Sequence, residues 1–342
     1  MAESDSKTTV AQDSLAAGAH TEIAAPPPGV TRHRPVKLKR SARADDAIEA
    51  IFSANFAQWL ANEALVLEGA DPEGVHGMRV ALRRMRTALA DFKKLIPAAQ
   101  LDWMKRETRW LLASLGPARN WDTFLIELAA PVEAAMAKDS GLAELRQVAQ
   151  ARRAEGYALA QEAIRSARYE VLVTWIRRWL MMRRWRRRAS DGPGAPLAQP
   201  ARKLAVKLLK KRHKATLRLA GDFESLTAAE RHRLRIALKK LRYTAEFFRA
   251  FFAKAREREY LAVLGALQDS LGHLNDVAVA EHLLQDLAGE KWPDQEASNY
   301  RLPYAAGLVI GWHAHNANNS INQAVVNWRE FCACKPFWTS KH

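Results

Sequence analysis

Two stretches of this chain, VHGMRVALRRMR at 75–86 and RHRLRIALKKLR at 231–242, share one pattern of histidine, basic and apolar residues. They lie 156 residues apart, and Leu115-Gly116 precedes Leu271-Gly272 by the same distance. Two landmarks that keep their spacing in both halves mark an internal duplication, so each half must build a similar unit. Between 75–96 and 231–252 six positions are identical: His76/His232, Arg79/Arg235, Ala81/Ala237, Leu82/Leu238, Arg86/Arg242 and Phe92/Phe248.

The period inside each copy is helical. Met78, Leu82, Met85, Leu89, Phe92 and Ile96 form one stripe at three- and four-residue steps, and Leu234, Leu238, Leu241 and Phe248 repeat it. The spacing of Ile48, Ile51, Phe52, Phe56, Trp59 and Leu60 predicts a first helix over 45–69, ended by Asp71-Pro72. Further helices are expected over 74–96, over 101–137 with an interruption near Gly116-Pro117, and over 141–188. Nothing in the pattern suggests strands. The expected fold is all-α, two tandem four-helix bundles related by pseudo-two-fold symmetry. The units are residues 41–188 and 201–342, joined by a Gly/Pro-rich linker at 189–200 and preceded by a disordered tail with a basic arm at 1–40.

Opposite the apolar stripes run cationic edges: His76, Arg79, Arg83 and Arg86, then His232, Arg235, Lys239 and Arg242. A solvated helix face ordinarily mixes signs, because acid–base pairs at i,i+4 support the helix. Here 75–96 holds six Arg and Lys against Asp91 alone, and 231–252 holds seven against Glu246 alone. Like charges stacked at helical spacing oppose folding, and their repetition suggests that they are presented to an anion. Arginine suits phosphate oxygens through its several fixed donors. A histidine among such cations is expected to stay mostly neutral and donate a hydrogen bond. The predicted helix 201–221 adds Lys203, Lys207, Lys210, Lys211 and Lys214, with no counterpart in the first half. The whole chain carries a formal charge of +16, which favours a polyanionic partner without naming it.

Other stretches are less specific. TWIRRWLMMRRWRRR at 174–188 fits a membrane-surface helix or a single-strand nucleic-acid platform. The one-turn spacing of Trp175 and Trp179 favours core packing instead. Cys332 and Cys334 are too close for an easy disulfide, and His313 and His315 are the nearest candidates to join them at a metal. No metal site and no cofactor is expected. No secretory signal or membrane-length apolar run is found, so a soluble cytoplasmic protein is expected.

The doubled pattern resembles the CHAD family, the conserved histidine α-helical domain. VHGMRVALRRMRTAL (75–89) and RHRLRIALKKLRYTAEFF (231–248) match its two signatures. LGPARNWD (115–122), LGHLND (271–276) and KPFW (335–338) fit its later segments. The resemblance covers about 41–338; Asn120 stands where the first half of the family usually has aspartate, with Asp122 nearby. It implies a basic channel or groove between the halves, binding of inorganic polyphosphate, and association with polyphosphate granules. The implied contacts are His76, Arg79, Arg83, Arg84 and Arg86, then His232, Arg235, Lys239, Lys240 and Arg242. A nucleic-acid binder using the same basic surface is the alternative. An enzyme is not expected: Asp122 and Asp276 suit helix caps or arginine partners, and no Gly-rich phosphate loop is present.

Overall fold

A computed structural model describes residues 35–137, 139–188, 196–289 and 301–339. The expected tail through residue 34, and 189–195 of the expected linker, lie outside the described residues. The fold is all-α, with no strand among the described residues and one isolated bridge between Arg43 and Pro200.

In the first half, α1 (Ala44–Ala61) and the short α2 (Glu63–Glu68) lead to α3 (Pro72–Asp91). The single helix expected over 45–69 is broken at Asn62, a buried residue whose amide donates to the Gln58 carbonyl at 2.7 Å. Helix α3 begins as its sequence demands. The Asp71 carboxylate accepts from the Glu73 N–H at 2.8 Å, and Pro72 fills a position that needs no donor. Then come α4 (Ala98–Ser114) and α5 (Gly116–Thr123), split at Leu115 beside the expected Gly-Pro interruption. A π-helical turn, Phe124–Ala129, continues into α6 (Ala130–Ala135). The helix expected over 141–188 is two, α7 (Ser140–Arg165) and α8 (Ala167–Met181), followed by a 3-10 turn. Ser166 divides them: its backbone is extended and its hydroxyl caps Tyr169 N–H.

The second half has α9 (Ala201–Ala220), α10 (Ala228–Phe248), α11 (Lys254–Gly289) and α12 (Arg301–Ala333). Helix α10 starts at Thr227, the position equivalent to Asp71, with a reciprocal Thr227–Glu230 capping box. Helix α11 runs unbroken through Leu271-Gly272, where the first half is interrupted.

The apolar stripe of α3 packs on α1, and that of α10 on α9, all within one large core. The two signature helices also meet each other. Phe92 and Phe248, equivalent in sequence, pack edge to face with centroids 6.2 Å apart. Beside them Arg84 of α3 pairs with Glu246 of α10, and Asp91 accepts from Arg212 (2.6 and 3.0 Å) and Thr244 (2.7 Å). A second apolar cluster joins Phe124, Leu128 and Leu145 to Val277, Leu302 and Val309. Both cores therefore draw on both halves.

Within the 174–188 stretch the tryptophans pack inward, while Arg177, Arg178, Met181 and Met182 are exposed. Trp179 and Trp185 are fully buried, and Trp185 Nε1 donates to Asp45 Oδ1 at 2.6 Å. Arg183 and Arg186 are neutralised by Asp45, and Arg183 also by Glu49. No described helix is long and apolar enough to cross a membrane.

Candidate functional site: a basic cavity between the signature helices

Because the apolar stripes of α3 and α10 turn toward α1 and α9, their basic edges are left facing a common gap. That gap is a cavity of about 780 Å³ lined by His76, Arg83 and Arg84 of α3 and Arg235, Lys239 and Arg242 of α10. Helix α11 and the π turn close its sides with His273, Asp276 and Glu127.

Charge in the cavity is incompletely balanced. Arg83 and Lys239 occupy equivalent positions of the two copies, and neither forms a hydrogen bond or ion pair among the described residues. Burial, reinforced by Arg235 and Arg83, pushes the Lys239 ammonium down to about 7. Arg79 does not line the cavity; among the described residues its side chain donates to the Leu112 carbonyl, at 2.7 Å, and burial together with Arg83 and Arg119 pushes it down to about 9. Its equivalent Arg235 is also lowered, first by burial, although Asp276 lies 3.6 Å away. Arg235 Nε is buried with no hydrogen-bond partner. Burial and the nearby Arg119 hold the His76 imidazole below its ordinary range, the neutral form expected from the sequence.

The glycines of the recurring Leu-Gly pair lie beside these arginines: a Cβ on Gly116 would stand 3.7 Å from Arg79 Nη1, and one on Gly272 would stand 3.9 Å from Arg235 Nη2, ordinary van der Waals distances that a small side chain would tolerate.

The remaining expected contacts are dispersed. Arg84 reaches the cavity wall but is buried, with Nε on Asn55 at 3.1 Å and Nη1 on Glu246. Arg242 shares Glu246 (3.0 Å) and reaches Gln268 Oε1 at 3.3 Å. Arg86 turns to the Lys105 carbonyl at 2.8 Å, outside the cavity lining. Lys240 is exposed as a residue, with its ammonium lowered first by partial burial and then by Arg212 and Arg86. His232 does not mirror His76: its Nδ1 lies 2.6 Å from Asn275 Oδ1, at a separate groove. Lys203, Lys207, Lys210, Lys211 and Lys214 are exposed along α9 and do not line the cavity.

Three contributors were not read from the sequence. Arg119, inside LGPARNWD, acts on His76, Arg79 and Lys239, and pairs with Glu127 at 2.9 Å. Glu127 and His273 line the cavity. Asp122 is fully occupied elsewhere, accepting from Arg153 Nε (2.7 Å) and the Tyr157 hydroxyl (3.0 Å). Asn120, equivalent to Asp276, supplies no carboxylate to Arg79. His313 is a buried core residue whose Nε2 donates to the Leu128 carbonyl at 2.9 Å. No group of three candidate metal ligands occurs among the described residues.

A model of the CHAD domain matches residues 50–285. The crystal structure of the CHAD domain from the plant Ricinus communis is similar at a TM-score of 0.70 and 30% identity, covering 85% of this chain and 96% of that one. PptA from Streptomyces chartreusis shares the fold at a TM-score of 0.59 and 17% identity, covering 84% of this chain and 100% of its own. No curated protein matches the chain.

Proposed function

This chain belongs to the CHAD family, associated in general with polyphosphate binding, and from that premise we propose that its basic cavity binds inorganic polyphosphate. One observation carries the proposal: Arg83 and Lys239, equivalent residues of two helices, face one cavity, and neither forms an ion pair among the described residues. Lys239, held below its ordinary pKa first by burial and then by Arg235 and Arg83, regains its charge when an anion arrives. Arg235 flanks them in the cavity lining and supplies directional donors, and its Nε is already desolvated and lacks an acceptor among the described residues. A linear phosphate polymer suits such a row, because each unit brings one charge and several acceptors. Exposed cations beyond the cavity, such as Lys240 and the α9 lysines, would extend the track for a long chain. The role is binding rather than turnover, in keeping with the family's non-catalytic character. Granule association is part of the same proposal.

The test is retention of long-chain polyphosphate and of tripolyphosphate across a salt series, for wild type and for Arg83→Ala/Lys239→Ala. Removing two charge-assisted contacts should weaken long-chain binding at least about tenfold, and should flatten the salt dependence. Unchanged affinity in the double variant, or displacement of bound polyphosphate by RNA at equal phosphate, would overturn the proposal in favour of another surface or of nucleic acid.

A further inference from the structure

Glu127 is placed by the one π-helical turn of the described residues, in which Ala130 N–H bonds to the Leu125 carbonyl. Such turns carry an extra residue and recur at functional sites. The second half has no such turn: α11 is regular there, and the position equivalent to Glu127 is Leu283, packed on the second apolar cluster. This turn gives the first half an acid that the duplication lacks. The acid lies at the meeting point of four helices. It pairs with Arg119 of α5 at 2.9 Å, and its charge acts on His76 of α3, Arg235 of α10 and His273 of α11.

The other cavity acids differ. Glu246 is tied between Arg84 and Arg242, where it joins the two halves. Asp276 stands 3.6 Å from Arg235, and Asp269 is exposed with no ion pair among the described residues. Glu127 alone combines an ion pair within normal hydrogen-bond distance with free access to water, its side chain being 46% exposed against 21% for Arg119.

We propose that Glu127 is an internal competitor for the cavity's ligand: its carboxylate occupies the anion position on Arg119, and a phosphate chain binds by displacing it. This deepens the polyphosphate proposal and rests on it for the natural ligand. Glu127 can swing outward without burying its charge, while Arg119 exchanges one anionic oxygen for another. Displacement yields almost nothing on that contact alone, so a ligand must gain elsewhere. A long chain also engages Arg83, Lys239 and Arg235, whereas an orthophosphate reaching only Arg119 gains little. Glu127 thereby selects for chain length.

The experiment measures tripolyphosphate and long-chain polyphosphate affinity by calorimetry, for wild type, Glu127→Gln, Arg119→Ala and the double variant. Glu127→Gln should tighten tripolyphosphate about three- to tenfold and long-chain polyphosphate less. The gain should disappear in the Arg119→Ala background. No gain, or an equal gain with and without Arg119, overturns the inference, since a merely repulsive charge would act in both backgrounds. The two proposals fail differently. If wild type binds long polyphosphate and Glu127→Gln gains nothing, only the competitor is lost. If long polyphosphate never binds but Glu127→Gln still tightens tripolyphosphate, only the polyphosphate proposal is lost. Failure of every variant to bind either phosphate overturns both.

Discussion

Lys239 makes binding sensitive to pH in a direction the cavity dictates. It is faced by Arg235 on its own helix, Arg83 on α3, Arg119 on α5 and Asp276 on α11, with His76, Glu127, His273 and Glu246 around the same cavity. In the free protein its ammonium is pushed down to about 7, so at higher pH it is largely neutral. A bound polyanion favours the charged form and returns the pKa toward its ordinary value. Between these limits the complex holds a proton that the free protein lacks, so binding takes up a proton and affinity must fall as pH rises. From pH ~6.5 to ~8.5 this one group should weaken long-chain polyphosphate about 25-fold. The internal phosphates of the ligand stay ionised throughout, so a long chain keeps the ligand's own titration out of the profile. His76 and His273 are both held below the ordinary imidazole range chiefly by burial, and the Lys239→Arg variant retains both, so the difference between its profile and that of wild type isolates Lys239. The assay is fluorescence-anisotropy titration with end-labelled polyphosphate at fixed ionic strength, beside Lys239→Arg, which holds its charge throughout. A flat wild-type profile, or an equal slope in Lys239→Arg, would refute the reasoning.

Three other perturbations follow from the same geometry. Arg84→Ala leaves Glu246 buried against Arg242 alone and should cost about 3 kcal/mol, read from urea unfolding; a loss under about 1 kcal/mol would show that Arg242 suffices. Asn120→Asp should give Arg79 the carboxylate that Asp276 offers Arg235, weakening tripolyphosphate about threefold or more by calorimetry, with Asp276→Asn acting oppositely. Lys207→Ala, remote from the cavity lining, should change tripolyphosphate affinity less than about twofold, and a loss matching that of Arg83→Ala would move the binding surface to α9.

Helical class and the pairing of Arg83 with Lys239 were legible because both depend on period alone. A stripe that turns inward leaves its opposite edge outward, and equal spacing in two copies points equal residues at each other. Arg84 was not separable in this way. It is one residue from Arg83, but its burial is decided by Glu246, 162 residues later, and no local pattern reports that partner. Glu127 was missed because it sits in a π turn that changes the period and the direction of the side chains, and Arg119, in the regular helix before it, because its partner Glu127 lies in that turn. His232 repeats His76 in letters and diverges in place, because Asn275 holds it beside a different groove. The extra breaks at Asn62 and Ser166 came from single polar residues whose side chains compete for backbone groups, a signal that apolar spacing does not carry.

The edge-to-face contact of Phe92 with Phe248 joins two residues at equivalent positions of the repeated pattern. A surface that recognises its own copy is self-complementary, as in a two-fold homodimer. A fragment holding one half would expose that phenylalanine and half of each shared apolar cluster, so it should be unstable alone and seek a second chain. Covalent linkage removes the concentration dependence of that pairing and leaves the two members free to differ, as Glu127 and Leu283 do at equivalent positions.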